Sequence, residues 1–538
     1  MGGVFLLENG MNVLLDAVER QAGDRPGSAA FSSVSDGKTS YGELWEATCR
    51  IARGLASRVD GDGPVLVLGP KAALTVESFL ACLMSGHAYV PIDIELPARR
   101  VADIAGQIEG ATLLAACDVP AGLADALPQA KVVDARELVE PAPGEQVPSP
   151  LARERWVHGE QTQYIIFTSG STGRPKGIEV TESCVANFSR WLAGFPVVRD
   201  GGRVFLDQAH YSFDLSEYEL VGALVTGGCL FAVDGKESSD FRALFAALSG
   251  SGVEVWVSTP SFADMCLADP SFGSELLPDL RLFLFCGEAL HHTTVQKLRA
   301  RFGEQAIVAN TYGPTESTVA VTYCEIGDAE LADAAALPVG YPRKGTELRI
   351  VDHETGEPMP EGQTGEIVIA GDTVARGYYE NPQKTAEAFF RSTMSDGMPV
   401  RAYRTGDLGF IGNDGMLHCA GRLDSLVKLN GFRIELGEVE GALEAVGCVR
   451  HAAVVPATRA GRVSSLCAFV VVDEAAAARE LGAEAAASGF ALGRALKAEL
   501  AQTLPAYMVP RQVRVLDQMP LNANGKADRK ALAASVAK

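Results

Sequence analysis

Short, mostly apolar runs recur through the first three hundred residues, and they limit the folds that this chain can adopt. Helical patterns separate these runs, which lie at residues 65–69, 112–117, 131–133, 204–206, 229–233, 253–258, 280–285 and 306–309. Strands that are apolar on both faces suit a parallel sheet covered by helices. The sequence therefore predicts an α/β fold, with helix-covered, mainly parallel sheets in a large N-terminal domain.

The character of the sequence changes twice after this α/β part. Beyond residue 338, short strands alternate with glycine-rich turns, which predicts a smaller β-rich subdomain. Near Arg422 a mixed pattern of strands and helices begins, which predicts a small α+β domain. Because 538 residues are too many for one core, we predict a core domain at residues 1–423 and a small, mobile C-terminal domain at residues 424–538.

Composition limits the partners and the compartment. A net charge of -21 argues against nucleic-acid binding as the main task, and no apolar run approaches the length needed for membrane insertion. The eleven cysteines include no Cys-x-x-Cys pair, so a zinc site is not expected. No basic residues precede the short apolar run at the N-terminus, so a signal peptide is not expected either. We expect a reduced, cytoplasmic protein.

A strand of aromatic and β-branched residues at 164–167 leads into the segment Thr-Ser-Gly-Ser-Thr-Gly-Arg-Pro-Lys-Gly at residues 168–177. Its glycines allow backbone N–H groups to converge on an anion, its hydroxyls add donors, and Lys176 adds a positive charge. This composition suits a polyphosphate. The segment is not a Walker A loop, because Pro175 stands where that motif requires glycine. A flexible surface turn, the alternative, would not need four hydroxyls and a lysine.

This segment resembles the phosphate loop of the adenylate-forming enzymes, a superfamily that contains amino-acid adenylation domains, acyl-CoA synthetases and luciferases. The resemblance implies that ATP and Mg²⁺ are the cofactors. It also implies a catalytic role for Thr168. The nucleotide-binding residues of the loop would be Thr168, Ser169, Gly170, Ser171, Thr172, Gly173 and Lys176.

A second motif, Asn-Thr-Tyr-Gly-Pro-Thr-Glu at residues 310–316, directly follows a predicted strand. Ligands bind at the carboxyl ends of strands in open α/β sheets, and a carboxylate there suits Mg²⁺. The resemblance implies that Tyr312 contacts adenine, Thr315 contacts the α-phosphate, and Glu316 is a catalytic residue and the metal ligand. The alternative is an ordinary loop with a Thr-Glu cap. The nucleotide site would also contain Asn310, Thr311 and Gly313.

A third motif, at residues 403–407, ends in Asp407, which we expect on a tight turn where it can accept two ribose hydroxyls. By resemblance, Arg422 also contacts the nucleotide and Asp424 is the hinge between the domains. The resemblance further implies that Lys526 is the catalytic lysine, which reaches the substrate carboxylate and the α-phosphate. A positioned cation lowers the cost of bringing these anions together. On composition alone, Lys526 would be one more exposed lysine.

The segment Ser-Phe-Asp-Leu-Ser at residues 212–216 indicates the substrate class. Asp214 is an acid among apolar residues, and such an acid is costly to bury unless it meets a cation. In the amino-acid adenylation domains that this segment resembles, the aspartate pairs with the substrate α-ammonium. Fatty-acid and aryl activators have no such need. The alternative is that Asp214 only caps the helix that follows.

Residues 255–266, 283–288 and 310–321 resemble the stand-alone D-alanine–carrier protein ligases. By this resemblance, crowding in the pocket favours alanine or another small amino acid, and Cys286 would lie beside the alanine methyl group. Buried cysteine is also a common small apolar residue, which is the alternative reading of Cys286. Tyr218 and the pair His210-Tyr211 depart from the ligases. The pocket would be lined by Asp214, Leu215, Tyr218, Leu284, Cys286, Gly287, Thr311, Val319 and Ala320.

Together these motifs predict an amino acid–carrier protein ligase. It would convert a small amino acid and MgATP to aminoacyl-AMP, and load the phosphopantetheine thiol of a separate acyl or peptidyl carrier protein. Teichoic-acid D-alanylation and natural-product biosynthesis are both open as pathways, and the alternative substrate is L-alanine or another small amino acid in polyketide or nonribosomal peptide antibiotic biosynthesis. Asp214 argues against an acyl- or aryl-CoA ligase, and the intact catalytic motifs argue against an inactive binding scaffold.

Overall fold

The computed structural model describes most of the chain. The described ranges are residues 11–59, 61–140, 148–170, 174–235, 240–333, 336–423, 426–459, 462–520 and 527–536. Within these ranges no helix has the length and apolar character that a membrane crossing requires. Five of the predicted site residues lie outside the described ranges: Ser171, Thr172, Gly173, Asp424 and Lys526.

The first three hundred or so residues alternate between strands and helices, as the apolar pattern predicts. The strands are β1 Ala29–Ser33, β2 Gly37–Ser40, β3 Val65–Leu68, β4 Tyr89–Ile92, β5 Thr112–Ala115, β6 Lys131–Asp134, β7 Thr162–Thr168, β8 Lys176–Thr181, β9 Val204–Asp207, β10 Cys229–Ala232, β11 Val255–Ser258, β12 Leu282–Phe285, β13 Ile307–Tyr312 and β14 Thr322–Glu325. The helices are α1 Val13–Asp24, α2 Tyr41–Ala56, α3 Ala73–Met84, α4 Ala98–Ala105, α5 Leu123–Ala126, α6 Ala135–Val139, α7 Glu182–Leu192, α8 Ser216–Thr226, α9 Phe241–Leu248, α10 Pro260–Cys266, α11 His292–Phe302 and α12 Asp328–Ala332.

Two sheets organise this part of the chain. One has the strand order β18-β8-β7-β4-β3-β5-β6, and the other has the order β15-β14-β13-β12-β11-β9-β10-β1-β2, where β15 is Tyr341–Pro342 and β18 is Gly377–Tyr378. The central strands of both sheets are parallel, which confirms the predicted α/β class. One continuous apolar cluster contains residues of both sheets, among them Tyr164 of β7 and Leu284 of β12. The two sheets therefore share a core.

The predicted β-rich subdomain is a five-stranded antiparallel sheet, in which β16, β17, β20 and β19 follow one another and β21 pairs with β20. The tight turn expected at Asp407 is wrong, because Asp407 lies within the long strand β20. Gly406 has a φ of 68°, and the register against β17 shifts there, so a bulge accounts for the turn-like sequence. The elements are β16 Thr346–Val351, β17 Gly365–Gly371, α13 Pro382–Ala388, β19 Phe389–Thr393, β20 Pro399–Ile411 and β21 Leu417–Arg422.

Residues 426–459, 462–520 and 527–536, which we term the C-terminal region, form the predicted α+β arrangement. A two-stranded and a three-stranded sheet pack with helices around their own apolar cluster. Two ion pairs join this region to the rest: a buried pair between Glu438 and Arg100, and a partly exposed pair between Arg462 and Asp264. The elements are β22 Leu426–Leu429, β23 Phe432–Glu435, α14 Leu436–Glu444, β24 Val449–Arg459, β25 Arg462–Val472, α15 Glu474–Glu480, α16 Ala483–Ala486, α17 Gly489–Leu500, β26 Gln512–Val515 and α18 Arg529–Val536.

Candidate active site

The predicted phosphate loop connects two antiparallel strands, β7 and β8. Thr168 is the last residue of β7, and Lys176 is the first residue of β8, a strand that the sequence did not predict. Thr168 Oγ1 is buried and has no hydrogen-bond partner among the described residues. At Gly170 a Cβ atom would lie 2.1 Å from the carbonyl oxygen of Arg174, so the close turn requires glycine. An open hydroxyl beside a tight backbone turn suits the binding of an anion.

Ser169 and Gly170, the described residues at the start of this loop, contact the C-terminal region. Ser169 Oγ donates a hydrogen bond of 2.7 Å to the carbonyl oxygen of Arg433. The N–H of Gly170 donates a bond of 3.0 Å to Glu438 Oε2, and the other carboxylate oxygen of Glu438 pairs with Arg100. The Glu438 carboxylate thus accepts a hydrogen bond from a backbone N–H group of the loop.

Glu316 lies in a short 3₁₀ helix, Thr315–Ser317, immediately after β13, and its side chain is fully buried. It accepts hydrogen bonds from Arg433 Nη1 at 2.8 Å and from Tyr378 Oη at 2.9 Å, and Lys176 Nζ lies 3.9 Å away. Burial alone would raise the pKa of Glu316, but the charges of Arg433 and Lys176 lower it to about 2. Burial and the nearby Arg433 lower the pKa of Lys176 to about 8. Glu316 is therefore a carboxylate at neutral pH, and in this structure it is paired with Arg433.

The three residues predicted to hold adenine and ribose lie together. Tyr312, at the end of β13, donates a hydrogen bond of 2.6 Å from its hydroxyl to Asp407 Oδ2. Arg422 pairs with the other oxygen of the same carboxylate. Asn310 points elsewhere, because its side-chain amide donates to the carbonyl oxygen of Pro338 at 2.8 Å. Gly313 has no space for a side chain, since a Cβ atom would lie 2.5 Å from Cα of Ala320.

Some of these groups, namely Gly170, Lys176, Tyr378, Arg422 and Arg433, line a large cavity, whereas Thr168, Tyr312, Glu316 and Asp407 lie behind its wall. Its volume is about 830 Å³, and it extends between the loop, β20 and the C-terminal region. The wall contains both cations and hydrogen-bonding groups, and includes Gly170, Lys176, Tyr378, Tyr403, Arg422 and Arg433. This cavity has the size that a nucleotide phosphate chain requires, and its wall contains six Lys or Arg residues and four glutamates.

Asp214 lies in the segment between β9 and α8 and is 6% exposed. Burial raises its pKa to about 6, and a hydrogen bond with the Thr315 side chain opposes this shift. Lys428 and Arg433 act on Asp214 only through their charges. The helix-capping alternative is wrong, because the N-cap of α8 is Leu215 and no side chain caps that end. Asp214 is thus a buried acid whose carboxyl is free to receive an ammonium group.

The predicted pocket residues come together beside Asp214, and all but Gly287 are buried. The Tyr218 hydroxyl donates to Thr311 Oγ1 at 3.2 Å, and Thr311 donates to the carbonyl oxygen of Phe285 at 2.8 Å. Cys286 Sγ lies 3.7 Å from the carbonyl oxygen of Val319, and Val319 has a φ of 66°. A positive φ is strained for a β-branched residue, and such strain is typical of functional sites. The remaining members are Leu215, Leu284 and Ala320.

The loop between β22 and β23 closes this site from the C-terminal region. Gly431 has a φ of 85°, and a Cβ atom there would lie 2.3 Å from Cγ2 of Thr259. Its N–H donates a hydrogen bond of 2.8 Å to Glu288 Oε1. Gly287 also has a positive φ, of 92°, and its own Cβ position would lie 4.0 Å from Cα of Gly431. Only glycine fits this contact between the two parts of the chain.

Several residues of the site carry no sequence signal of their role. Nothing near Arg433 and Tyr378 in sequence predicts that they contact Glu316. Glu438 and Arg100 form their buried ion pair across 338 positions of the chain. Within the described ranges, no three His, Cys, Asp or Glu residues form a cluster that could hold a metal ion.

Comparison with known families agrees with this arrangement. A match described as AMP-binding enzyme covers residues 18–379, and a match described as AMP-binding enzyme C-terminal domain covers residues 438–526. The chain belongs to the AMP-binding enzyme family. As an AMP-binding enzyme it is an adenylate-forming ligase, and this confirms the resemblance drawn from the phosphate loop.

Individual relatives cover nearly the whole of this AMP-binding enzyme. A D-alanine–D-alanyl carrier protein ligase of Bacillus licheniformis is 41% identical over 96% of this chain and 98% of its own length. The ligase of the same name from Bacillus velezensis is 41% identical over 97% and 99%. Among solved structures, the nonribosomal peptide synthetase protein PA1221, which contains adenylation and PCP domains, has a TM-score of 0.79 and 26% identity over 98% of this chain and 85% of its own.

Proposed function

We propose that this enzyme activates alanine as alanyl-AMP and transfers the aminoacyl group to the phosphopantetheine thiol of a separate carrier protein. The observation that carries the proposal is Asp214, a buried carboxyl that forms no ion pair with a cation in the described part of the chain and lies among the buried residues predicted to contact the substrate. An α-amino acid supplies the ammonium group that would stabilise this acid. The names of the ligases that it resembles support the same substrate and partner.

The residues present fit ATP and Mg²⁺. Thr168 Oγ1 is an open buried donor, Lys176 is a cation beside it in the hairpin, and Glu316 is a carboxylate with a pKa lowered to about 2. When bound, Mg²⁺ would neutralise charge on the phosphates. We assign Glu316 to the metal, Tyr312 to adenine, and the pair Asp407 and Arg422 to the ribose.

In the first half-reaction, the substrate carboxylate must approach the α-phosphate, which brings two anions together. Asp214 would hold the ammonium end of the amino acid, and Thr315, which contacts Asp214, would lie between the amino acid and the phosphate. We assign Lys526 to the cation that stabilises the new bond, as the family resemblance implies. The bond that forms joins the carboxylate oxygen to phosphorus, and pyrophosphate leaves.

In the second half-reaction, the thiol attacks the aminoacyl carbonyl and AMP leaves. We assign the orientation seen here, with the loop of Gly431 against Thr259 and Glu288, to this step. Adenylation would require the C-terminal domain to turn about Asp424 and bring Lys526 into the site. We therefore propose that the chain divides into two domains, residues 1–423 and 424–538. We also propose that the reaction takes place in the cytoplasm.

Crowding around Asp214 supports a small side chain such as that of alanine. Tyr218, Leu284 and Cys286 are all buried, and the Tyr218 hydroxyl donates a hydrogen bond to Thr311. A methyl group would fit, with the Cys286 sulfur as the contact that senses its direction. A D-alanine preference would suit teichoic-acid D-alanylation, whereas L-alanine or another small amino acid would suit natural-product biosynthesis.

The test is ATP–pyrophosphate exchange across the amino acids, both enantiomers included, followed by transfer to a carrier protein that bears phosphopantetheine. We expect exchange with alanine, weaker exchange with glycine and serine, and none with fatty or aryl acids. One methylene contributes only roughly 1–3 kcal/mol to such discrimination, so the small competitors should not be inert. A preference for a bulky side chain, or exchange with acids that lack an ammonium group, would overturn the proposal.

A further inference from the structure

A buried cluster of charged groups lies behind the Asp214 segment, outside the site described above. Lys71, which follows β3 in one sheet, forms an ion pair with Asp207 at the end of β9 in the other sheet. Lys71 Nζ also lies 3.4 Å from Glu219 Oε2 in α8, and 3.9 Å from the ring centre of Tyr211. The side chain of Lys71 is 8% exposed, and the two carboxylates are fully buried. None of these four residues belongs to the predicted motifs.

The two carboxylates stand at the two ends of one segment, and Asp214 lies at its centre. Glu219 Oε1 accepts hydrogen bonds from the N–H groups of Gln208 at 3.2 Å and Ala209 at 3.1 Å, which lie at the start of the segment. Asp207 Oδ2 accepts a bond of 2.9 Å from the hydroxyl of Tyr211. Hydrogen bonds therefore join the two ends of the segment between Asp207 and Glu219. Lys71 contacts the carboxyl group at each end.

Removal of that cation would have a specific physical effect. Two carboxyls within contact of one ammonium group repel each other when the ammonium is absent, and water is not there to screen them. Burial raises the pKa of Glu219 well above its ordinary value, and the neighbouring Asp207 adds to this shift while Lys71 opposes it. Without Lys71 the ends of the segment would separate, or take up a proton, and the turns that carry Asp214 would shift with them.

We infer that Lys71, through Asp207 and Glu219, is a positioning residue that fixes Asp214 for the substrate ammonium group. This inference rests on the proposed role of Asp214. Lys71 does not touch the substrate, and its effect is on where the Asp214 carboxylate lies. The phosphate loop is held separately, by the pairing of β7 with β8, so nucleotide affinity does not depend on Lys71.

The test compares the kinetic constants of Lys71→Met in pyrophosphate exchange, with the amino acid that the wild type activates best. We expect kcat/KM for the amino acid to fall by roughly 10- to 100-fold, as for a misplaced substrate contact, while the KM for ATP stays within about twofold. Adding Asp207→Asn should restore most of the loss, because it removes the repulsion between the two carboxylates, Glu219 keeps the N–H donors of Gln208 and Ala209, and asparagine can still accept from Tyr211. Lys71→Arg keeps the positive charge but has a different shape, so its kcat/KM for the amino acid should lie between those of the wild type and Lys71→Met.

Arg203→Met is the matched control. Arg203 precedes the other end of the same strand, β9, and pairs with Glu254 at 2.5 Å. It should lower the thermal midpoint without changing the amino-acid KM. If Lys71→Met behaves like this control, or raises the KM for ATP and for the amino acid equally, or is not rescued by Asp207→Asn, then Lys71 is only structural. If Lys71→Met does not fold, Lys71→Arg and the double variant carry the same comparison.

This result is separable from the proposed function. If the wild type activates an amino acid other than alanine, the same comparison applies to that amino acid, because the cluster positions the ammonium contact and not the side-chain pocket. If the wild type activates no amino acid, the role of Asp214 fails first, and the inference about Lys71 fails with it.

Discussion

Asp214 combines deep burial with a pKa raised to about 6, and this combination decides what the residue can do. Above that value it is a carboxylate in a place where charge is costly, so a cationic substrate group stabilises it. Below that value it is neutral and loses its attraction for an ammonium group. The ionisation of Asp214 therefore predicts that substrate binding depends on pH.

We expect kcat/KM for the amino acid to fall as the pH drops through about 6, because protonated Asp214 no longer binds the ammonium group. The measurement is the exchange rate at low amino-acid concentration between about pH 5 and pH 8. The Thr315 side chain lowers the pKa of Asp214 through a hydrogen bond, so Thr315→Ala should move this acid limb to higher pH whatever its effect on the maximal rate. A profile without an acid limb would contradict the role of Asp214.

Cys286 is the second residue with a separable effect. Its thiol lies 3.7 Å from the carbonyl oxygen of Val319, and burial raises its pKa, so it acts as a neutral contact surface. Cys286→Gly should relax the preference between D- and L-alanine, because it opens the side on which the disfavoured methyl group collides. The ratio of kcat/KM for the two enantiomers is the measurement, and an unchanged ratio would show that Cys286 does not select the enantiomer.

At the scale of secondary-structure elements, the sequence predicts those strands that a local pattern of apolar residues specifies. Apolar runs gave the central strands of both sheets, since full burial on both faces requires such runs. Strand β8 was missed because its first residues belong to the loop motif, and Asp407 was placed on a turn because a glycine bulge has the composition of one. Contacts such as Arg433 with Glu316 could not be predicted, because they depend on how distant elements pack.

The loop between β22 and β23 provides a prediction at this scale. Gly431→Ala adds a methyl group where only 2.3 Å separates the Cβ position from Thr259, so it should impair the thiol-transfer step by tenfold or more and spare pyrophosphate exchange. Gly415→Ala is the control, because it has a similar φ of 79° but a Cβ there would lie 3.6 Å from its nearest neighbour. The assay uses preformed aminoacyl-AMP and a carrier thiol. Equal damage to both steps would contradict the assigned orientation.

At the scale of the whole molecule, side chains of the C-terminal region bind groups that we assign to the first half-reaction. Glu438 occupies the N–H of Gly170, and Arg433 occupies Glu316. Both contacts place a side chain of the C-terminal region where we assign a phosphate or its metal. The orientation seen here and the one that forms the adenylate therefore exclude each other.

Two substitutions should have opposite effects on the two half-reactions. Arg433→Met leaves Glu316 without its closest cation in this orientation, and should slow thiol transfer while exchange persists. Lys526→Ala should reduce exchange by ~100-fold or more, while transfer from preformed aminoacyl-AMP survives. Measuring both half-reactions in both variants is the test. If the two variants affect the same step, the two-orientation scheme is wrong.

The contact between Arg433 and Glu316 also bears on reversibility. Adenylate formation runs backwards readily when pyrophosphate and its metal return to the enzyme, and ATP is then regenerated at the expense of the activated amino acid. While Arg433 pairs with Glu316, the carboxylate that we assign to that metal is engaged. On this assignment the reverse reaction would be suppressed for as long as the intermediate waits for its thiol, and net flux toward the carrier would not depend only on rapid removal of pyrophosphate by other enzymes.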